Sequence, residues 1–304
     1  MMNTKVDVVI VGAGPAGMSA ALAAHQAGLK VALLEKSMPG GKLNTYQSFE
    51  HFPGYEEIPA QQFGLKLYDE LTKVGVESMY GDVQKIEKHD SLFTVTADTM
   101  TIEASAVILA TGTKEKPLTV PGAETFFGQG ISYCASCDGG FFKHKDVAVI
   151  GSDAHAFEEA IFLANFCNHV TMLIPQPGKA PQNLLVKLNQ LSNVQVIEGA
   201  TPTAVLGKEV VTGLRYQSIV QGEQDMLVDG IFPILGWIPN HQPILAFPQL
   251  LDEAGYGIAN QDGVTSVPGL FIIGDVQSKA TRKVKNVIAQ GQLVGKHLSA
   301  FLKP

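Results

Sequence analysis

The sequence is poor in cysteine and in charged residues. Among 304 residues there are three cysteines, one tryptophan and 17% charged side chains, while 45% of the residues are hydrophobic. So few cysteines exclude a disulfide-stapled secreted scaffold, and the composition excludes a disordered or fibrous chain. The formal net charge of −7 offers no broad basic face of the kind that binds phosphate backbones. We therefore expect an ordinary globular protein that does not bind nucleic acid.

Long apolar runs are also missing. No uninterrupted apolar stretch approaches the roughly 18–20 residues of a membrane span, and Asp7 interrupts the apolar start at Val6–Val11. A glycine turn follows this start directly, which favours a buried strand over an export signal. We therefore expect no membrane partner and a cytoplasmic location.

A glycine turn near the start of the chain lies between a predicted strand and a predicted helix. Gly12, Gly14 and Gly17 follow the β-branched run that ends at Val11, and Glu35 stands at the end of the next strand. The first glycine permits the tight turn, the second lets a pyrophosphate approach the backbone, and the third lets the helix pack closely. Phosphate would meet the free N–H groups of the helix, and Glu35 would accept hydrogen bonds from ribose hydroxyls. The pattern predicts a dinucleotide site.

A second strand–turn–helix–strand unit occupies residues 146–174. Two such units predict an α/β fold with two Rossmann-like nucleotide-binding domains of the three-layer ββα type. Two proline-containing stretches, Lys114–Gly122 and Trp237–Asn240, are typical of linkers. We therefore expect a second domain, residues 118–242, inserted into a first domain made of residues 1–117 and 243–304.

Two cysteines form a CxxC pair, Cys134 and Cys137. Thiols one helical turn apart can form a small-loop disulfide, and this spacing lowers the pKa of one thiol so that it attacks a partner disulfide. In a reducing compartment such a pair is catalytic or metal-binding rather than a structural staple. Zinc is the competing interpretation, but no second pair exists, and Cys167 lies in an apolar helix and is expected in the core.

Further motifs resemble the low-molecular-weight thioredoxin reductase family, class II of the pyridine nucleotide-disulfide oxidoreductases, along nearly the whole chain. These motifs are Gly40-Gly41-Lys42-Leu43, His51-Phe52-Pro53-Gly54, Ala110-Thr111-Gly112, Cys134-Ala135-Ser136-Cys137-Asp138 and Gly274-Asp275. The cysteine box departs from the family pattern at Ser136, which replaces a threonine. The resemblance implies FAD as cofactor, thioredoxin as substrate and a homodimer.

The resemblance also implies roles for individual residues. Cys134 would attack the substrate disulfide, Cys137 would exchange electrons with the flavin C4a atom, and Asp138 would move the proton. Gly41 would lie against the flavin, and Asp275 would bind the ribityl-phosphate region. The expected FAD-binding residues come from these motifs and their neighbours: Gly12, Gly14, Pro15, Ala16, Gly17, Glu35, Lys36, Gly40, Gly41, Lys42, Leu43, His51, Val83, Ala110, Thr111, Gly112, Gly274, Asp275, Arg282, Lys283 and Val284.

The second glycine turn departs from the family, whose members bind NADPH there and grip its 2′-phosphate with a His-Arg-Arg segment. Here Asp153 replaces the middle glycine, and residues 174–179 contain no arginine. Arg215 is the one arginine of the expected second domain, and it falls in a different strand. A side chain and a negative charge in the path of the pyrophosphate both weaken binding. This departure resembles the ferredoxin-dependent flavin thioredoxin reductases, so ferredoxin is the expected electron donor.

Alternatives remain for the donor and for the class of protein. NAD(P)H could bind unconventionally, or a second FAD could occupy the altered domain. A non-catalytic flavin redox sensor would have lost its reductant, although the intact cysteine box argues against this interpretation.

A basic cluster follows the Gly-Asp motif and consists of Lys279, Arg282, Lys283 and Lys285. An acidic ferredoxin would be steered to such a surface. Lys283 and Lys42 replace glutamines of the family, so these two lysines could instead tune the flavin. An ordinary solvated helix start is the third interpretation.

Overall fold

The computed structural model describes residues 3–46, 48–52, 55–176 and 182–302. The side chains of the short strands around residue 50 are outside this description, and the predicted FAD ligand His51 is among them. The last residues of the stretch 174–179, which lacks the arginines expected for a 2′-phosphate, are also outside this description.

The chain divides into two compact units. The first combines Met1–Lys114 with Ile238–Pro304, and the second is Glu115–Trp237. The divisions therefore fall at 114/115 and 237/238, before the expected boundaries at 117/118 and 242/243. The earlier divisions have a structural reason, because the linkers themselves form two short strands, Thr113–Glu115 and Trp237–Pro239, that pair with each other.

Alternating strands and helices build the chain up to the first linker. The elements are β1 (Asn3–Val11), α1 (Pro15–Gln26), β2 (Val31–Glu35), β3 (Ser48–Phe52), β4 (Tyr55–Pro59), α2 (Ala60–Val74), β5 (Glu77–Tyr80), β6 (Val83–His89), β7 (Leu92–Ala97), β8 (Thr101–Leu109) and β9 (Thr113–Glu115). Strands β5, β2, β1 and β8 are parallel neighbours, and β7 and β6 continue the sheet in antiparallel order. Val8, Val9 and Ile10 of β1 are fully buried, as expected for a parallel strand covered on both faces.

The second unit contains two further sheets. Its elements are α3 (Ala135–Asp138), β10 (Asp146–Ile150), α4 (Ala154–Ala164), β11 (His169–Ile174), α5 (Gln182–Asn189), β12 (Val194–Glu198), β13 (Ala200–Gly207), β14 (Val211–Ser218), β15 (Gly222–Leu227) and β16 (Gly230–Pro233), followed by β17 (Trp237–Pro239) in the second linker. Strands β12, β11, β10 and β16 form a parallel sheet, and β13, β14 and β15 form an antiparallel one. Both units thus contain a Rossmann-like sheet, and the predicted α/β class is confirmed.

The last segment returns to the first unit with β18 (Leu270–Ile272) and α6 (Val284–Leu302). Strand β18 pairs in parallel with the second half of β8. Helix α6 packs closely on α1, because a Cβ on Gly291 would lie 2.3 Å from the carbonyl oxygen of Ala16. This packing fixes the first turn of α1 relative to the C-terminal segment. No helix in the described ranges has the length and apolarity of a membrane span.

Candidate functional site

The turn between β1 and α1 depends on close backbone contacts that exclude a side chain. Gly12 has a φ of 106°, and a Cβ there would lie 2.5 Å from the carbonyl oxygen of Ala110. A Cβ on Gly17 would lie 1.9 Å from the Gly12 oxygen. In contrast, a Cβ on Gly14 would meet no atom within 4 Å. Gly12 and Gly17 therefore shape the turn, whereas Gly14 borders open space at the N-terminus of α1, where phosphate binds in dinucleotide folds.

The carboxylate of Glu35 lies beside this turn. Its Oε2 accepts the backbone N–H of Ala13 at 2.7 Å. Its Oε1 accepts the backbone N–H groups of Lys36 and Ser37 and the Ser37 hydroxyl. Of these four donors, only the hydroxyl can turn away without moving the backbone. Glu35 is therefore fixed in position and keeps one acceptor site that a ribose hydroxyl could take.

The loop that contains Gly40 and Gly41 is attached to the same turn. The Gly40 N–H donates to the carbonyl oxygen of Ala13 at 2.8 Å. A Cβ on Gly41 would lie 3.3 Å from the Cα of Gly14. Leu43, at the end of the motif, is 4% exposed and anchors the loop in the core. The two glycine-containing motifs thus form one surface.

Lys42 joins this loop to the Gly-Asp segment. Its Nζ lies 2.8 Å from Oδ2 of Asp275, and the side chains are 23% and 20% exposed. The neighbouring Gly274 N–H donates to Oε1 of Gln290 at 2.9 Å, and the Gln290 amide in turn donates to Oε1 of Gln277. The two glutamines fix the segment that carries Asp275. Sequence reasoning missed both, because a glutamine in a helix or loop carries no pattern.

The Ala110–Gly112 segment is held by a residue from the second linker region. The Thr111 hydroxyl donates to the carbonyl oxygen of Asn240 at 2.7 Å, and the Asn240 side-chain amide donates to the carbonyl oxygen of Thr111 at 3.0 Å. The Asn240 N–H also donates to the Gly112 oxygen at 3.0 Å. Asn240 therefore orients a predicted FAD motif, although the sequence indicated only a linker there.

The remaining predicted FAD residues lie in varied surroundings. Ala16 and Val83 are buried, each 6% exposed. Pro15 and Val284 are the first residues of α1 and α6. Lys283 is exposed.

Two further charged residues of the predicted set, Lys36 and Arg282, also have partners in the first unit. Lys36 Nζ lies 3.6 Å from Oδ1 of Asp82. The Arg282 guanidinium lies over the ring of Tyr256, 4.7 Å from its centroid.

In the second unit Cys134 and Cys137 form a disulfide at the start of α3. Cys134 is the N-cap residue, and its Sγ accepts the Cys137 N–H at 3.1 Å and lies 3.3 Å from the Ser136 hydroxyl. Cys137 is exposed and Cys134 is half-buried. After reduction, the N–H groups of this turn would stabilise a thiolate on Cys134.

Ser132 connects Cys134 to Asp138. Its hydroxyl donates to Oδ2 of Asp138 at 2.6 Å and accepts the Cys134 N–H at 3.1 Å. The residue is 5% exposed. This buried hydroxyl therefore orients the predicted acid/base residue beside the cysteine pair. A serine before a CxxC box gave no signal in the sequence.

Glu159 also reaches α3, from helix α4. Its Oε2 accepts the backbone N–H of Ala135 at 3.0 Å, and its Oε1 lies 4.0 Å from Nδ1 of His155. Burial raises the pKa of the Glu159 carboxyl above its ordinary value, and a positive charge on His155 opposes that rise. The imidazole of His155 stacks on Trp237, with ring centroids 6.1 Å apart.

The second glycine turn carries an anion of its own. Oδ1 of Asp153 accepts the Ala156 N–H at 3.0 Å and caps α4. This carboxylate therefore satisfies an N–H group of the kind that a bound phosphate would use. Gly151 keeps the tight packing of a nucleotide turn, since a Cβ there would lie 2.5 Å from the carbonyl oxygen of Ile234.

A small pocket lies beside this turn, within the second unit. Its volume is about 10 Å³, and its lining consists of Glu115, Tyr133, His155, Pro233, Ile234, Leu235, Gly236 and Trp237. A cavity of this volume holds about one water molecule.

Comparison with known proteins places the chain in a family. Residues 6–291 match the model of the pyridine nucleotide-disulphide oxidoreductases. The chain is 33% identical over 300 residues to the thioredoxin reductase of Listeria monocytogenes, covering 98% of this chain and 94% of that protein. It is 30% identical over 311 residues to the thioredoxin reductase of Bacillus subtilis, covering 100% of this chain and 97% of that protein.

Solved structures agree with this assignment. Lactococcus lactis thioredoxin reductase is 31% identical with a TM-score of 0.90, and the match covers 98% of this chain and 99% of that one. A ferredoxin-flavin thioredoxin reductase from Clostridium acetobutylicum is 24% identical with a TM-score of 0.54 over 98% of both chains, and this likeness shows a shared fold alone. The chain therefore belongs to the pyridine nucleotide-disulphide oxidoreductase family and is similar within it to the thioredoxin reductases.

Proposed function

We propose that this chain reduces the disulfide of thioredoxin, or of a thioredoxin-like protein, through FAD and the Cys134/Cys137 pair. Similarity to thioredoxin reductases along nearly the whole chain supports the substrate. The observation that carries the proposal is the cysteine box, in which a disulfide at the start of α3 lies beside Asp138 and its partner Ser132.

The cofactor is FAD, and the residues of the first unit fit it. Gly14 leaves space for the pyrophosphate at the N-terminus of α1. The Glu35 carboxylate lies beside that turn and would accept hydrogen bonds from ribose hydroxyls. The loop around Gly41 and the Lys42–Asp275 pair adjoin that space and would hold the ribityl and flavin portions. When bound, FAD takes electrons from the donor and passes a pair of them to the disulfide.

The reduced pair would then act by thiol–disulfide exchange. The Cys134 thiolate forms a bond to one sulfur of the partner, while the partner's S–S bond breaks and its second sulfur leaves as a thiolate. Cys137 then attacks Cys134, which restores the internal disulfide and releases the first sulfur. Two electrons and two protons pass to the partner in all. Asp138, held by Ser132, would transfer a proton to a leaving thiolate.

We further propose that ferredoxin, rather than NADPH, supplies the electrons. The support lies in the second unit, where Asp153 caps the helix that would receive a pyrophosphate. Arg215, its one arginine, forms two hydrogen bonds to Asp225, at 2.6 and 2.9 Å. An acidic donor would be attracted to the exposed basic cluster of the first unit: Lys279, Arg282, Lys283 and Lys285.

A pyridine nucleotide is the second candidate donor. The family to which the chain belongs, the pyridine nucleotide-disulphide oxidoreductases, supports this donor by its name. Gly151 also supports it, because this residue keeps the close packing of a nucleotide turn. Anaerobic mixing of the oxidised, FAD-loaded protein with NADPH, NADH or reduced ferredoxin separates the candidates through the flavin absorbance. We expect rapid bleaching with ferredoxin only. Prompt bleaching at micromolar NADPH would exclude the ferredoxin proposal.

The substrate and the order of the cysteines are tested separately. A thioredoxin that keeps one active-site cysteine is loaded as its mixed disulfide with thionitrobenzoate and added to Cys137→Ser or Cys134→Ser protein. We expect Cys137→Ser to form a covalent complex and Cys134→Ser to form none. The opposite pattern would reverse the two roles.

Two expectations from the family resemblance remain proposals. A homodimer is tested by light scattering of the FAD-loaded protein. A cytoplasmic location fits a cysteine pair that must cycle between dithiol and disulfide.

A further inference from the structure

A carboxylate outside the recognised motifs contacts the helix that carries the redox pair. Oε2 of Glu159 accepts the N–H of Ala135 at 3.0 Å, and Sγ of Cys134 accepts the N–H of Cys137 at 3.1 Å. The carboxylate and the cysteine sulfur therefore use N–H groups of the same helical turn. The Glu159 carboxylate is thus hydrogen-bonded to the residue that follows Cys134, whose sulfur is proposed to attack the partner disulfide.

Once the disulfide is reduced, the N–H groups of α3 and the charge of Glu159 have opposite effects on the ionisation of Cys134. A thiolate on Cys134 would be stabilised by the N–H groups of α3, as at other cysteines near helix N-termini. The charge of Glu159 opposes this, because like charges at short range disfavour the ionised form. The Glu159 side chain is 15% exposed, so water screens the repulsion less than it would at the surface.

We propose that Glu159 is a positioning residue that tunes the reactivity of Cys134, holding the first turn of α3 through its hydrogen bond and disfavouring the Cys134 thiolate through its charge. The inference rests on the proposed role of the cysteine pair. It assigns a function to a residue that belongs to neither the FAD motifs nor the cysteine box.

His155 links this carboxylate to the second glycine turn. Its Nδ1 lies 4.0 Å from Oε1 of Glu159, so a protonated His155 offsets the negative charge. The elements packed against α4 are α3, α5, β10 and β11. The other titratable side chains on α4 and on these elements, apart from the two cysteines, are Glu158, Asp138, Lys187, Asp146 and His169. In the described part of the chain, none of them has a hydrogen bond or an ion pair with Glu159, but the negative charge of Glu158 raises the Glu159 pKa.

Three substitutions separate the hydrogen bond from the charge. Glu159→Gln keeps an acceptor for the Ala135 N–H and removes the charge, whereas Glu159→Leu removes both. Glu158→Gln is the matched control, because Glu158 is an exposed neighbour on the same helix. Each full-length, FAD-loaded protein is reduced with dithiothreitol, freed of it anaerobically and treated with iodoacetamide at several pH values. Peptide mass analysis then gives the alkylation rate of Cys134 separately.

We expect the Glu159→Gln profile to move to lower pH by about one unit, so that about ten times more of the thiol is ionised at a pH below its pKa. The alkylation rate rises by a smaller factor, because a thiolate of lower pKa is less nucleophilic. Glu158→Gln should move the profile far less than Glu159→Gln does, because Glu158 is exposed. If Glu159→Gln coincides with the wild type and only Glu159→Leu differs, the charge has no role and the proposal is overturned.

A second variant covers the case in which Glu159 substitutions fail to fold. His155→Lys keeps Glu159 and places a permanent positive charge beside it, so the profile should move to lower pH. No movement, or movement to higher pH, would contradict the proposal. Alkylation of Cys134 involves no thioredoxin. The Glu159 proposal can therefore be contradicted while thioredoxin reduction is observed, and it can be supported while thioredoxin reduction is not observed.

Discussion

The Nζ of Lys42 lies 2.8 Å from Oδ2 of Asp275, joining two segments that are 233 residues apart in the chain. Asp275 is predicted to lie at the ribityl-phosphate region of FAD. A carboxylate there repels the diphosphate, and a neighbouring cation reduces that repulsion. The ion pair therefore lowers the electrostatic cost of an acidic residue beside an anionic cofactor.

We predict that Lys42→Gln weakens FAD binding about tenfold, or about 1.4 kcal/mol, because it leaves a largely buried carboxylate unpaired. Fluorescence titration of the apoprotein with FAD measures the change. Adding Asp275→Asn to Lys42→Gln should recover part of the affinity. Lys85→Gln is the control, because its ion pair with Glu87 has the same 2.8 Å distance but a more exposed lysine. A double variant that binds FAD no better than Lys42→Gln would contradict the compensation.

Two glycines of the first turn should respond differently to the same substitution. Gly17→Ala places a methyl group 1.9 Å from the Gly12 oxygen and should cost about 3 kcal/mol of unfolding free energy in the apoprotein. Gly14→Ala meets no protein atom and should cost about 1 kcal/mol or less. Its effect should appear in FAD titration instead, as affinity at least about tenfold lower, since the pyrophosphate passes there. Equal FAD affinity of Gly14→Ala and wild type would place the cofactor elsewhere.

The carboxylate that caps α4 should stabilise the second unit. Asp153→Ala removes the acceptor for the Ala156 N–H, and we expect a loss of about 1 kcal/mol. Asp153→Asn keeps an acceptor and should lose less. Urea unfolding followed by the fluorescence of Trp237, the one tryptophan of the chain, reports on this unit. Glu158→Ala on the same helix is the control, and an Asp153→Ala midpoint equal to that of the wild type would show that the cap contributes nothing.

Cys167 should remain unreactive in the folded protein. Burial raises the pKa of its thiol to about 11, so the folded state keeps it neutral at pH values where an unfolded thiol ionises, from about 8.5. Its contribution to stability is therefore fully present below about pH 8.5 and is lost as the pH rises toward 11. After reduction, a thiol-specific reagent at pH 8 should label two cysteines in the native protein and three in urea. Cys167→Ala should flatten the decline in stability between pH 8.5 and 10, and an unchanged decline would assign it to other groups.

The fold class was predictable because glycine spacing encodes backbone geometry directly. Gly12 and Gly17 lie where a Cβ cannot fit, so the motif that predicts the turn is also the physical requirement for it. The CxxC spacing is equally local, and the disulfide between Cys134 and Cys137 needs only one helical turn.

The supporting residues were not predictable, because tertiary folding brings them into place. Ser132 and Glu159 act through single hydrogen bonds to the cysteine box, and neither stands in a pattern that separates it from an ordinary serine or glutamate. Asn240 orients Thr111, from which it is 129 positions away in the sequence. Lys42 and Asp275 were each predicted as FAD residues, but their ion pair depends on a contact that no local pattern encodes.

The insertion of one unit within another sets an order in time. Glu115–Trp237 is a continuous stretch, whereas the first unit needs β18 and α6, which follow that stretch, to complete its sheet and cover α1. During synthesis, every residue of the cysteine-bearing unit leaves the ribosome before Asp275 does. The nascent chain therefore carries both redox thiols before the segment with Asp275, a predicted FAD residue, has been synthesised, and we expect cofactor loading to come after both units are complete.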